Sequence, residues 1–425
     1  GEIYHGTYRR TPQEPHPPRD ALPWREISPF ARYFMDDAAE KVTNSLRARL
    51  QEDVSLRPYS TRIEGMLRQS VLENYPVVWK SYDPNWREFI LCAFAMILAQ
   101  FEAALPEKVV ARMLDSAGKA LRGAIDRVKS GLTPLNTNIE LMHVFALDWF
   151  AGRLGLEEAR RHALEYAENF WRRYLEFHSV SEFNSPTYYG VDLVAAACWR
   201  GFAPSQRIRE LGALIEAGLW EDLADTYNHA LRNVCGPYSR NYEMDMSRHT
   251  SIHALLFLGL GMEAFPERPF NVESDHNPLL ILGGPRIPDN VRARLLSGGE
   301  ERVVVRKFKE LSERGDPREA PAVCTAVSWI SGSLMTGAMS GSRNVSGQLH
   351  PATVHWRDEA GGVSSMRLQR SGPEGNVDGF HLVLFDCRLD RNRLAVDVDC
   401  RTNRDIKVYF EFESPLAETA KISRN

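Results

Sequence analysis

The chain has 425 residues, 43% of them hydrophobic and 10% aromatic, with 52 basic and 56 acidic residues that leave a formal net charge of −4. That length exceeds what one hydrophobic core usually serves, so two domains are expected. Mixed charge without long single-sign runs argues against a nucleic-acid partner or an anionic membrane surface, and the most apolar window, Ala254 to Phe265, is short of the ~20 residues of a membrane span.

Residues 1–26 carry His5, Arg9, Arg10 and a run of prolines (Pro12, Pro15, Pro17, Pro18, Pro23), which predicts an extended Pro-rich arm on the surface. No signal peptide is visible and the chain starts at Gly1, so secretion after removal of an upstream signal and a cytoplasmic location both stay open. Over residues 27–270 apolar residues recur at three and four. The pattern predicts about ten helices: Phe34 to Leu50, Ile63 to Asn74, Asn85 to Phe101, Glu107 to Lys129, Asn138 to Leu154, Leu156 to Phe177, Tyr189 to Arg200, Ser205 to Gly218, Trp220 to Arg232 and Asp245 to Ala264. Short links favour antiparallel hairpins closed into an (α/α) toroid. The rival, an α-solenoid, lacks the fixed-period repeat such arrays show.

After Pro266 the pattern changes. Gly-Gly-Pro breakers occupy Asn277 to Ile287. Short apolar or alternating runs then follow at Val303 to Phe308, Ala322 to Met335, Thr353 to Trp356, Ser364 to Arg370, Phe380 to Phe385, Leu394 to Cys400 and Ile406 to Phe412. Residues 271–425 are therefore expected to form an antiparallel β-sandwich domain, giving an α+β multidomain chain. The six cysteines, Cys92, Cys198, Cys235, Cys324, Cys387 and Cys400, include no Cys-x-x-Cys pair. Cys92 and Cys198 read as buried thiols, and Cys387 and Cys400, on neighbouring strands, as a pair that could bridge in an oxidising compartment.

The signatures of zinc proteases, P-loop enzymes, Rossmann dehydrogenases and nucleophile-elbow hydrolases are absent. Three polar and aromatic clusters at helix starts remain. In Asn136-Thr-Asn138-Ile-Glu140, Asn138 suits either a helix cap or a substrate contact. In Glu182-Phe-Asn-Ser-Pro-Thr-Tyr-Tyr-Gly-Val-Asp192, Ser185-Pro186 can start a helix, which leaves Asn184, Tyr188, Tyr189 and Asp192 to line a site or to pack. The third runs from Cys235 to His253 with Tyr238, Arg240, Tyr242, Asp245, His249 and His253. Its four-residue spacing of Asp245, His249 and His253 places them on one helix face. That spacing alone is a weak metal signal, and no metal or cofactor is expected. Arg240 beside two tyrosines suits an anionic ligand, because a guanidinium forks onto a carboxylate. The second and third clusters are expected to form opposite walls of one pocket.

Ten or so helices followed by an antiparallel β domain, with Asn-Ser-Pro-Thr-Tyr-Tyr and Tyr-Ser-Arg-Asn-Tyr loops at helix entrances, resembles the toroid-plus-sandwich polysaccharide lyases, both heparinase-like and alginate-lyase-like. The resemblance implies a metal-independent lyase that cleaves a uronic-acid-containing glycan by β-elimination, with carbohydrate binding as part of its work. It implies catalytic roles for Asn184, Tyr188 or Tyr242, Arg240 and His249, with Asn138 beside Asn184; Tyr188 and Tyr242 are both kept as catalytic candidates, and Asn138, Tyr189, Tyr238, Asp192 and Asp245 are read as candidate substrate contacts. Such chemistry needs a group that stabilises an enolate-like anion, a base, and an acid for the leaving oxygen. A tyrosine serves as base only if a neighbouring cation such as Arg240 lowers its pKa. The expected partner is an acidic oligosaccharide or a small-molecule substrate, with no nucleic acid and no membrane. The alternatives are a dehydratase, isomerase or cyclase of a small hydroxylated metabolite, which Trp149, Phe183, Tyr188, Tyr189 and Tyr242 would suit, a glycoside hydrolase using two of Asp192, Glu243 and Asp245, or a non-catalytic carbohydrate-binding protein.

Overall fold

The structure is a computed structural model that describes residues 5–8, 85–129, 135–246, 250–261, 277–297, 300–311, 321–344, 348–359, 361–371, 383–400 and 406–413. Most of the expected arm, the two helices expected between residues 34 and 74, and His249 lie outside the described residues. Those described hold nine α-helices followed by antiparallel strands, a mixed α+β chain.

The helices alternate in character. Helix α1 (Trp86–Phe101) and α2 (Glu107–Lys129) are followed by α3 (Thr137–Leu154), α4 (Glu157–Phe177), α5 (Tyr189–Phe202) and α6 (Gln206–Thr226). Helix α2 begins after Pro106 with Glu107 in its first turn and ends with Arg127 and Lys129 in its last, the charge placement that a helix dipole favours. Helix α4 buries one stripe, Ala159, Ala163, Ala167, Phe170 and Tyr174, as an amphipathic helix on a core does. Helices α3 and α5 are instead buried on nearly every side, so they lie within the helical layer while α2 and α4 cover it. Helix α3 stops at Gly155, whose φ of 64° supplies the left-handed cap.

Helix α6 corrects the expectation of two helices split near Gly218. That glycine does not end the helix. A Cβ there would lie 1.9 Å from the Tyr174 hydroxyl, so its lack of a side chain lets α4 approach. The chain then turns through a hairpin of β1 (Tyr227–Asn228) and β2 (Asn233–Val234), where helix was expected to Arg232. Helix α7 spans Thr250–Leu260. The breakers after residue 276 terminate a helix rather than prevent one: α8 (Asn277–Gly283) runs up to Gly284, φ +58°, and α9 (Asp289–Ser297) follows.

Strands β3 (Arg302–Lys309), β4 (Val323–Ile330), β5 (Leu334–Ser340), β6 (Ala352–Arg357), β7 (Val363–Ser371) and β10 (Lys407–Glu413) form one antiparallel sheet in the order β10-β7-β6-β5-β4-β3. The run Ala322 to Met335, read as one strand, is two, divided by the turn at Ser331 to Ser333. A separate hairpin, β8 (Val383–Asp390) with β9 (Arg393–Cys400), packs on the sheet through Val383, Phe385 and Cys387 against Ala338, Ala352 and Leu368. Its register sets Cys387 opposite Val396 and Cys400 opposite Val383. The two cysteines are thus four positions apart along the ladder, about 14 Å at ~3.4 Å per residue. A disulfide tolerates a Cα separation of only ~7 Å, so this register does not bring the two together as a bridge. The helical part docks on the sheet through Phe183, whose ring stacks on Phe308 of β3 with centroids 4.8 Å apart.

Candidate functional site

Glu182, in the turn before α5, is the hub where the three clusters meet, and it is 1% exposed. The backbone N–H of Asn138 donates to its Oε2 at 2.9 Å, and the Asn138 amide donates to Oε1 and Oε2 at 2.9 and 2.8 Å. Arg240 donates from Nη1 to Oε1 at 2.5 Å. Asn138 therefore does not cap α3. It sits in the first turn, and the capping carboxylate comes from 44 residues downstream.

The stretches around Asn184 and Arg240 lie directly against each other. Thr187 donates from N and Oγ1 to the Asn241 side-chain oxygen at 3.1 and 2.8 Å, and Tyr242 N–H donates to Thr187 Oγ1. Ser185 Oγ donates to the Arg240 carbonyl at 3.0 Å. Asn184 and Arg240 have φ values of 53° and 61°, left-handed conformations that asparagine tolerates and arginine seldom adopts. The lacing just described holds Arg240 in that conformation, with its guanidinium on Glu182.

Asn184 is turned away from this group. Its amide nitrogen donates to the carbonyls of Cys235 and Pro237 at 2.5 and 3.2 Å, and its oxygen accepts from Thr226 Oγ1 at 2.9 Å. It fixes the loop that carries Arg240, which gives it a positioning role in place of the expected contact with developing charge. Tyr238 is likewise fully buried, bonded to the Val234 carbonyl and to backbone of His350. Tyr189 is buried at the start of α5.

Tyr188, Arg240 and Tyr242 do converge. The Arg240 guanidinium lies 4.7 Å from the Tyr188 ring centroid, within cation–π range. The Tyr188 hydroxyl meets the Tyr242 hydroxyl at 2.8 Å, and Tyr242 is 44% exposed. The result is a chain of polar groups from Asn138 and Glu182 in the interior, through Arg240 and Tyr188, to Tyr242 at the surface. Burial pushes the Tyr188 phenol well up, and the opposing pull of Arg240 does not cancel it. The condition for Tyr188 to act as a base is therefore not met. A phenol that keeps its proton is a donor.

Asp192, in the first turn of α5, is fully buried, and among the described residues neither of its carboxyl oxygens has a hydrogen-bond partner. Burial pushes its carboxyl well up, the charge of Glu182 adds to that, and Arg240 opposes it. The two carboxyls thus differ in their surroundings: Glu182 is bonded to Asn138 and paired with Arg240, whereas burial favours the protonated form of Asp192. Asp245 is half-buried. Among the described residues no group of three or more His, Cys, Asp or Glu is placed to hold a metal ion. A small apolar void of about 10 Å³ lined by Phe89, Cys92, Met142 and Cys198 lies elsewhere, as does an open groove along α2 at Lys108 to Lys119.

Two residues of this arrangement went unassigned in the sequence reading. Glu182 stood at the head of a recognised cluster, with its acidic type between Ser181 and Phe183 as the only local signal. Arg367 of β7 donates from Nη1 to the Tyr242 carbonyl at 2.9 Å and from Nε to Glu411 of β10 at 2.6 Å. Nothing in its alternating strand pattern marks that contact.

Residues 35–276, more than half of the chain, match the family model of a domain of unknown function, DUF8769. The chain belongs to that family. No curated protein and no solved structure matches it. The matched DUF8769 region contains Asn138, Glu182, Tyr188, Asp192, Arg240 and Tyr242, whereas the Arg367 brace comes from the sheet beyond it.

Proposed function

We propose that the DUF8769 chain is a carbon–oxygen lyase that acts by β-elimination on a carboxylate-bearing sugar, with its site at Arg240, Tyr188 and Tyr242. The observation that carries the reading is the 2.8 Å contact of two tyrosine hydroxyls, one of them surface-exposed, beside a guanidinium anchored on a buried carboxylate. In this reading Arg240 takes the uronate carboxylate and stabilises the enolate-like anion. A base removes the proton α to the carboxylate, and His249 is the proposed base. The β carbon–oxygen bond breaks, and its oxygen takes a proton from the Tyr188–Tyr242 pair. The toroid belongs to the same proposal, supported by the alternation of enclosed helices α3 and α5 with the amphipathic α2 and α4.

A second reading keeps the chemistry and changes the substrate to a small hydroxylated metabolite. It is favoured by the enclosure of the group, since the Arg240 side chain is only 11% exposed. Incubation with polyuronates and with monomeric uronates separates the two, read by the ultraviolet absorbance of an unsaturated uronate. Product from polymers supports the first and product from monomers alone the second. Absence of product from both overturns the elimination chemistry. In an active protein Tyr188→Phe would lower kcat by about a hundredfold or more, and unchanged kcat would remove the phenol from the mechanism.

A further inference from the structure

Behind Tyr242 lies a buried histidine that the proposed chemistry leaves unused. His350, 1% exposed, sits just before β6, and its backbone exchanges hydrogen bonds with Tyr238 at 3.0 and 3.1 Å. Its ring meets the Tyr238 ring edge-on, as does the ring of His355 in β6, with centroids 6.1 and 6.2 Å away. His350 Nε2 lies 3.3 Å from Arg367 Nη1, the same nitrogen that donates to the Tyr242 carbonyl at 2.9 Å. A guanidinium only donates, so His350 accepts through Nε2 and its ring is neutral. His355 is arranged the other way. Its Nε2 donates to the Met244 carbonyl at 3.1 Å, a bond that a second proton on the ring leaves intact, and Asp245 is the charge that favours that proton. A second proton on His350 instead sets a donor and a positive charge against Arg367 Nη1. Burial already holds this ring well below the ordinary histidine range, and Arg367 and His355 add to the effect. Arg367 has another seat within reach, because its Nε is bonded to Glu411 at 2.6 Å and its Nη2 lies 3.9 Å from Glu413, both on β10.

We propose that His350 is a positioning residue and an acid switch for the candidate site: a proton on its Nε2 turns Arg367 off the Tyr242 carbonyl and onto Glu413, which frees the Tyr242 half of the loop. The Tyr238 end stays, held by its backbone bonds to His350 and by Gly236 against Gly337. The ring binds its proton more weakly in the closed loop than in the open one. The closed form is therefore complete above about pH 6.5 and is lost as pH falls below that value. The inference rests on the reading of Tyr242 as the outer member of the site.

The test is amide hydrogen exchange on the full chain at about pH 7.5 and about pH 5, with labelling times scaled for the chemical exchange rate and helix α3 as the internal reference. The reporters are the N–H groups of Asn241 and Tyr242, which donate to the Gln348 carbonyl at 2.8 Å and to Thr187 Oγ1 at 3.2 Å. In the unmodified chain, opening of residues 241–246 should rise about thirtyfold at the lower pH while α3 is unchanged, the factor expected of one histidine released to its ordinary pKa. In His350→Gln, whose side-chain oxygen accepts from Arg367 and takes up no proton, the rise should vanish. Arg367→Met should leave the segment open at both pH values, and it carries the test should His350→Gln fail to fold. Equal protection at the two pH values in the unmodified chain, a rise that α3 shares, a rise that survives in His350→Gln, or a protected segment in Arg367→Met overturns the switch. In an active protein the acid-side fall of kcat/KM should be shallower in His350→Gln, and an unchanged fall overturns the link to the site. If no uronate yields unsaturated product, the elimination reading falls and the exchange data still decide the switch.

Discussion

Two of the contacts between the helical part and the sheet are built on different physics. Behind the Arg240 loop the contact is neutral and steric. A Cβ on Gly337 of β5 would lie 2.0 Å from the Gly236 carbonyl, and one on Gly236 would lie 2.1 Å from Thr353 Oγ1. Tyr238 and His350 exchange backbone hydrogen bonds there, and Ser328 Oγ donates to the Gly236 carbonyl at 2.6 Å. At the end of α6 the contact is ionic. Arg306 of β3 pairs with Asp225 and approaches Asp222 at 3.5 Å, Arg294 of α9 pairs with Glu221 and Asp225, and Lys309 pairs with Glu176. The first contact holds the loop that carries Arg240 through close backbone packing and backbone hydrogen bonds. The second can weaken with pH or salt while the loop stays in place.

Substitutions at each contact should reveal that difference. Gly337→Ala should have the largest effect, about 5 kcal/mol of lost stability by denaturant titration, because backbone rather than a movable side chain occupies the space. A loss under ~1 kcal/mol would show that the neutral contact yields readily. Phe308→Ala, which removes the ring under Phe183 beside Glu182, should cost about 3–4 kcal/mol.

At the ionic contact, burial pushes the Asp222 carboxyl up to about 7 from 3.8, with Arg306 opposing and Asp225 adding. A carboxyl whose folded pKa lies above its unfolded value binds its proton more tightly when folded. Its contribution is present below about pH 4 and is lost as pH rises through about 7. Asp222→Asn should therefore flatten the fall in melting temperature between about pH 5 and 8, and should stabilise the protein at the alkaline end by about 2 kcal/mol. An unchanged slope would remove Asp222 as its source. Glu176→Gln should be the mildest, under ~1 kcal/mol in low salt and nearly nothing in high salt, because both partners are exposed.

The legibility of the sequence follows the same division between local and long-range causes. Helix α2 was readable to the residue because its start, stripe and charged end lie within its own 23 residues. The split wrongly placed in α6 came from reading Gly218 as a local breaker, when it is a packing glycine answering to Tyr174 in another helix. In the site, two of the clustered stretches were legible from composition, but the residue that joins them was not. Glu182 is 44 positions from Asn138 and 58 from Arg240, and no period or cap connects them. The same distance in sequence concealed that Asn184 is spent on the Cys235 and Pro237 carbonyls.

The sheet order has a consequence for synthesis. Strand β10 returns past the β8–β9 hairpin to pair with β7, and its Glu411 braces the Arg367 that holds the Tyr242 carbonyl. On the ribosome, a nascent chain that has emerged only through β9 already contains Glu182, Arg240 and both tyrosines, yet it lacks that brace. The tyrosine pair is thus fastened late in translation, and a chain released before β10 would carry every residue of the proposed site without the clamp that holds its outer member.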